Sequence, residues 1–348
     1  MVTIQGVLIF LSLLVWQAAA PAPQPTPEPP VQLAPGVSFI RSVAVPGRGP
    51  DGNTVIFDAP DGLVVVDTGR HAYHSDAILA FARAKQRPIV AIVNTHWHLD
   101  HSTGNARLKA VFPNARIYTS TAIDRAVAPG GFLARNLVDA EKMAAQADLP
   151  PVTREEIQIF LGTMRATGGL RPDVPLTSSG TMTIGGRAFD VHVSNDAVTD
   201  ADVWLYDPVS KIAVIGDIVT VPVPYFETAC PDGWKSAMDA VWATAFDTVI
   251  PGHGKPMTRA DFDTYRQGFA PFIDCVRSSA DAGTCSAAWV TATSSLIGED
   301  AARRKAVADN MNYYVSYLRK TAGKAADCRA SVSVEGRRGA LRRLRSFD

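Results

Sequence analysis

His96-Trp97-His98-Leu99-Asp100-His101 gathers three of the chain's seven histidines and an aspartate into six residues. Just before it, residues 88–93 (PIVAIV) are a short, fully apolar run bounded by a proline, the pattern of a strand buried on both faces. Just after it, residues 104–112 fit a helix. The six residues therefore form a sharp loop between a buried strand and a helix, expected to be exposed. On an extended backbone, side chains at i and i+2 point the same way, so His96 and His98 converge on one point. Asp100 and His101 turn toward a second. Imidazole nitrogens and carboxylate oxygens are ligands suited to zinc. The plain alternative, a hydrogen-bonded surface loop, would leave these like-natured polar groups facing one another with nothing between them.

Outward from the loop, residues 37–45, 53–57, 63–66 and 116–119 read as strands, β-branched and bounded by Gly, Pro or Asp turns. Residues 74–84 read as a helix. Residues 121–169 change character: they are rich in Ala, Leu, Arg, Glu and Met, look helical, and are broken at Pro129-Gly130-Gly131 and Pro150-Pro151. Strands return at 181–184, 188–194, 203–206 and 212–215, the last two joined by the turn Asp207-Pro208-Val209-Ser210. A helix at 234–244, a strand at 248–250 and helices at 259–276 and 301–320 complete the pattern. Two strand-rich blocks with interspersed helices imply sheets covered by helices.

The chain has 348 residues, with 34 basic and 34 acidic side chains and 47% hydrophobic residues. That balance excludes a disordered or fibrous chain. It also provides no basic field to displace counterions from nucleic acid, so no nucleic-acid partner is expected. Residues 1–20 read as a signal peptide, an apolar run ending in Ala18-Ala19-Ala20; the run is short for a membrane span, which needs ~20 apolar residues. A periplasmic or secreted protein with no membrane span after processing is expected. Residues 21–36 read as a proline-rich linker, 37–328 as one domain with C-terminal helices, and 329–348 as a basic disordered tail. Four cysteines allow three pairings. Cys275 and Cys285 are close in sequence across a Gly-containing turn, which would leave Cys230 with Cys328.

The chain resembles the metallo-β-lactamase fold superfamily over roughly residues 37–265, through motifs that occur in that family's order. They are Val66-Asp67-Thr68-Gly69 at a strand end, His96–His101, Ile215-Gly216-Asp217 at another strand end, and Pro251-Gly252-His253-Gly254 after a short strand. The resemblance implies an α/β fold, a four-layer αββα sandwich. It implies that Asp67 supports the metal loop, that Asp217 bridges metals, and that His253 is the last ligand. One motif departs: in Val198-Thr199-Asp200-Ala201-Asp202, Val198 stands where a metal-binding histidine is expected. Valine has no lone pair. The first metal then keeps His96 and His98, with Asp217 as a bridge, and the second keeps Asp100, His101, His253 and Asp217. One well-held Zn2+ and a second, weaker site are expected. Asp196, Asp200, Asp202 and His192 are the neighbours that could replace the missing ligand. His71 and His74 are read as structural or surface residues.

The chemistry that follows is hydrolysis by a metal-activated water that loses its proton near neutral pH, with Asp100 orienting the water as well as binding metal. A small-molecule substrate, an ester, lactone, thioester or amide, is the expected target. A β-lactamase and a non-catalytic metal-binding protein with a degenerate site are the alternatives, and an iron dioxygenase of the same fold is disfavoured by Val198. Tyr225 and Phe226, in the segment after Asp217, are expected to contact substrate, with residues 121–169 as a lid. No Lys or Arg cluster accompanies the metal loop, which disfavours a phosphodiester.

Overall fold

The computed structural model describes residues 25, 28–43, 45, 47–321 and 328; the segments read as a signal peptide and a basic tail lie outside the described residues. The first sheet has seven strands in chain order: β1 (Val31–Ala34), β2 (Val37–Ile40), β3 (Thr54–Ala59), β4 (Gly62–Val66), β5 (Ile89–Val93), β6 (Arg116–Thr119) and β7 (Val174–Pro175). The second has six: β8 (Gly180–Ile184), β9 (Arg187–Asn195), β10 (Ala201–Asp207), β11 (Ile212–Thr220), β12 (Thr248–His253) and β13 (Met257–Thr258). The helices are α1 (Ala72–Lys85), α2 (Leu99–Ser102), α3 (Asn105–Val111), α4 (Ala122–Val127), α5 (Phe132–Ala144), α6 (Pro151–Arg165), α7 (Pro231–Trp242), α8 (Arg259–Arg277), α9 (Ala282–Ala292), α10 (Ser294–Ile297) and α11 (Ala301–Lys320). Among the described residues, no helix is long and apolar enough to cross a membrane.

The layers follow from the two-residue period of strands buried on both faces. Along β4, Val64 and Val66 enter the core between the sheets with Phe57, Phe189, Val203 and Leu205. Their alternates Leu63 and Val65 face Ile78, Leu79 and Ala82 of α1 on the outside. In the second sheet, Val203 and Leu205 point inward. Trp204 and Tyr206 point outward against Trp234, Met238, Phe269 and Val315 on α7, α8 and α11. The result is helix, sheet, sheet, helix, the four-layer sandwich expected from the sequence. A fourth cluster joins Trp97 and Leu99 of the metal loop to Ile123, Ala126 and Leu133, with Phe132, Phe160 and Met164 packed against it.

Three expectations change. Residues 31–34, assigned to the linker, pair antiparallel with β2 and extend the first sheet; a proline-free VQLA segment leaves its backbone groups free for pairing. The loop at 96–101 is buried, with no residue from Thr95 to Ser102 above 8% exposed, because the α4–α6 block folds over it. Helix α9 fills the stretch between α8 and α11. All four cysteines are paired, Cys230 with Cys328 and Cys275 with Cys285, as expected from their spacing.

Candidate metal centre

Four chain segments meet at the ends of strands from both sheets. Asp67 follows β4, the His96–His101 segment follows β5, Asp217 lies within β11, and His253 ends β12. Strand β11 runs parallel to β12, with register shifts on either side of Gly216. Those irregularities bring Asp217 and His253 to one place. Gly252 is required beside them, since a Cβ there would fall 1.9 Å from Asp217 Oδ1.

Asp217 occupies the middle. Its Oδ2 lies 3.6 Å from His96 Nε2 and 3.8 Å from His98 Nδ1. Its Oδ1 lies 3.3 Å from His101 Nε2 and 3.5 Å from His253 Nε2. Asp100 Oδ2 closes the second group, 3.0 Å from His253 Nε2 and 3.5 Å from His101 Nε2. Two sets are compact enough to hold a cation, His96, His101 and Asp217, and Asp100, His101 and His253; His98, expected at the first metal, is in neither, its Nδ1 standing 3.8 Å from Asp217 Oδ2 beside the first set. Most of these separations exceed hydrogen-bond length, as ligand atoms around a shared ion do. His96 Nε2, His101 Nε2 and Asp217 Oδ1 are buried without a hydrogen-bond partner. Buried polar atoms are rarely left so, and a divalent cation between them would satisfy all three. The donor set of imidazoles and carboxylates fits zinc.

The electrostatics agree. Burial alone would raise the Asp100 and Asp217 carboxyls, but His101 and His253 outweigh it and hold both well below the usual carboxylate range. Burial would lower His101, yet Asp217, Asp100 and Asp67 together pull it well above its ordinary value. The pocket is one that demands positive charge. His96 goes the other way, pushed down to about 4 by burial and by its imidazole neighbours, which leaves a neutral ring able to offer a lone pair at pH 7.

The remaining ring nitrogens are engaged from behind. Asp67 accepts from Thr95 N at 2.8 Å and from Thr95 Oγ1 at 2.8 Å, and its Oδ2 is 2.8 Å from His101 Nδ1. His96 Nδ1 meets Thr95 Oγ1 at 3.0 Å, and His98 Nε2 meets Thr228 Oγ1 at 2.9 Å. Such partners orient metal-ligating rings and fix their tautomers. Thr95 adjoins the histidine motif and could have been noticed there; nothing in the sequence marks Thr228.

None of the suggested replacements for the missing histidine joins either set. His192 stacks on Trp204 with centroids 3.7 Å apart. Asp200 pairs with Arg125. Asp202 is buried and accepts from Thr199 N and Oγ1 at 3.0 and 3.2 Å; burial pushes its pKa up to about 7. Asp196 turns the chain at φ 52°. Val198 itself is fully buried in the helix-facing core. His71 and His74 are both buried: His74 Nε2 meets Thr54 Oγ1 at 2.8 Å, while His71 lies between Asp51 and Glu156, 2.8 Å from each.

The centre opens on a cavity of about 960 Å³. His98, Asp100, Asp217 and His253 form its floor, and Trp97, Phe132, Ile157, Phe160 and Val223 contribute apolar wall. Tyr225 lines it as expected, its ring edge-on to His98 at 5.4 Å and its hydroxyl donating to Glu227 at 3.0 Å. Phe226 does not line it. Its side chain is fully buried between Trp234, Phe269, Phe272 and Tyr314, because neighbouring residues of an extended segment face opposite ways. Basic side chains, which the metal loop lacks, reach the wall from elsewhere: Arg41, Arg70 and Arg303.

A linear primary-alkylsulfatase from Pseudomonas sp. (strain ATCC 19151) is 27% identical over 231 residues, covering 58% of this chain and 41% of that protein. The chain thus spans about two fifths of the curated relative's length. The structure of the stereoselective inverting sec-alkylsulfatase Pisa1 from Pseudomonas sp. aligns with a TM-score of 0.56 at 16% identity, covering 83% of this chain and 50% of that one. A metallo-beta-lactamase from Pontibacter korlensis aligns with a TM-score of 0.49 at 19% identity, covering 68% of this chain and 96% of that one. A family model for the metallo-beta-lactamase superfamily matches residues 47–253, more than half of the chain and a span that holds every residue of the cluster from Asp67 to His253: the protein belongs to the metallo-beta-lactamase superfamily.

Proposed function

We propose that the protein is an exported, zinc-dependent hydrolase of esters that carry a sizeable apolar group, with alkyl sulfate esters the first class to test. One observation carries the reading: members of both donor sets, Asp217 of the first and Asp100 and His253 of the second, line the floor of a largely apolar cavity of about 960 Å³. The volume is that of a small-molecule site, and its aromatic and aliphatic wall suits a chain or ring rather than a polar backbone.

His96, His98, Asp100, His101, Asp217 and His253 would hold the metal, one ion well and a second more weakly. A bound zinc ion supplies a water that loses its proton near neutral pH and a Lewis acid for the ester oxygen. The chain's own residues do the rest. Asp100, anionic and 3.0 Å from His253 Nε2, can accept a hydrogen bond from the attacking water and orient it. Trp97, Phe132 and Phe160 exclude solvent and hold the apolar group. Arg303 on the wall offers donors to an anionic ester head, which supports sulfate, as does the alkylsulfatase relative. Four cysteines in two disulfides support an oxidising compartment.

The test joins metal analysis of the purified protein to an activity panel of alkyl sulfates, carboxylic esters, lactones, thioesters and a chromogenic cephalosporin. Bound zinc with turnover of long-chain esters or sulfates is expected. Zinc without turnover anywhere on the panel would favour a binding protein instead, and cephalosporin as the best substrate would favour the lactamase reading.

A further inference from the structure

We infer that Thr228 is a positioning residue that sets the tautomer of His98 and so the strength of the first metal site, compensating through the backbone of Val198 for what its side chain does not offer. The inference rests on reading the cluster as a metal centre.

The hydroxyl of Thr228 has a single hydrogen. It lies 2.8 Å from the Val198 carbonyl oxygen and 2.9 Å from His98 Nε2. A carbonyl only accepts, so the hydroxyl donates to Val198. His98 Nε2 must then carry a hydrogen and donate to Thr228, and the lone pair is left on Nδ1, the nitrogen that faces Asp217 Oδ2 at 3.8 Å. The same arithmetic applies at His96. Thr95 donates its hydroxyl hydrogen to Asp67 and so accepts from His96 Nδ1, leaving the lone pair on Nε2, 3.6 Å from Asp217 Oδ2. Two neighbouring histidines therefore present opposite nitrogens to one carboxylate oxygen, each set by a threonine whose own hydrogen is committed elsewhere. A His98 with the other tautomer would aim an N–H at the cation.

Thr228 is itself held rigidly. Cys230 N donates to the Ala197 carbonyl at 2.8 Å, and Phe226 and Ala229 on either side are fully buried. The segment bearing Val198 is thus zipped to the segment bearing Thr228. That is the role of Phe226: it anchors the loop that aims Thr228, rather than touching substrate.

The experiment compares the full chain with T228V, which keeps the shape and loses the hydroxyl, and T228S, which keeps the hydroxyl. Nitrogen-15 imidazole NMR of the metal-free proteins reads the His98 tautomer, and zinc titration reads affinity. The wild type and T228S should show His98 protonated on Nε2. T228V should show a mixture, with the first zinc site weakened about 10–100-fold. An unchanged tautomer and unchanged zinc affinity in T228V would overturn the inference, as would a wild-type His98 protonated on Nδ1, which decides the matter even where T228V does not fold. If the wild type bound no zinc while T228V still shifted the tautomer, the metal-centre reading would fall and the role of Thr228 in orienting His98 would stand.

Discussion

Asp67 Oδ2 lies 2.8 Å from Nδ1 of His101, 34 residues along the chain, and the same carboxylate receives both the backbone and the hydroxyl of Thr95. One side chain at the end of β4 thereby braces two of the histidines without facing the cation. Asp67 sits at φ 58°, a conformation that Asn also tolerates, so D67N should keep the backbone while losing the charge and setting an amide N–H against Thr95 or His101, where an oxygen accepted before. Zinc affinity is expected to fall about 10–100-fold, with little change in circular dichroism. Elemental analysis after dialysis against graded chelator checks it.

Gly252 is the second brace, acting by having no side chain. A methyl group there would meet Asp217 Oδ1 at 1.9 Å and Asp217 N at 2.9 Å, so Asp217 would have to leave its place among His96, His98, His101 and His253. G252A is expected to bind less than half the zinc of the wild type, because the methyl displaces both the side chain and the backbone of Asp217 while the core layers are untouched. Metal stoichiometry set beside thermal unfolding separates lost binding from lost stability.

His71 ties the lid to the first sheet. Burial disfavours its charged form, but hydrogen bonds to Asp51 and to Glu156 of α6 outweigh burial and raise its pKa to about 9. Arg48 and Arg70 pair with the same Glu156, and Tyr73 stacks on the ring at 4.9 Å. A folded pKa raised above the unfolded value of about 6.5 gives stability that is fully present below pH 6.5 and is lost as pH rises through about 9. The advantage of the wild type over H71Q should be on the order of 2–3 kcal/mol at pH 6 and should vanish by about pH 10. Urea midpoints at pH 6, 8 and 10 measure it.

How much of this was legible depends on the range of the interaction. The β-branched run 63–66 and the apolar run before His96 are local patterns, and they mark β4, β5 and the start of the loop that follows β5. The four motif segments were legible because each places a His or Asp in or just after a strand. What stayed hidden needs residues far apart: Glu156 reaching His71 across 85 positions, or Thr228 reaching His98 across 130. The burial of the metal loop was hidden for the same reason. A polar segment between a strand and a helix looks exposed until a separate helical block is known to fold over it. Arg41, Arg70 and Arg303 likewise reach the cavity from segments distant in the chain from the metal loop.

Two phenylalanines give the sharpest test of the cavity. Phe132 opens α5, lines the cavity and packs against Trp97 with centroids 5.7 Å apart; Phe226 is fully buried beneath it in the helix-facing core. Contact between a Phe ring and an apolar chain is worth about 1.5–3 kcal/mol of burial. F132A should therefore lower kcat/KM for long-chain esters by roughly 10–100-fold, and leave short-chain esters nearly unchanged, since their chains do not reach the ring. F226A should instead cost about 3–5 kcal/mol of stability, and the protein that remains folded should keep the wild-type dependence on chain length. A chain-length series run on both variants would show the opposite pattern if Phe226, and not Phe132, met the substrate.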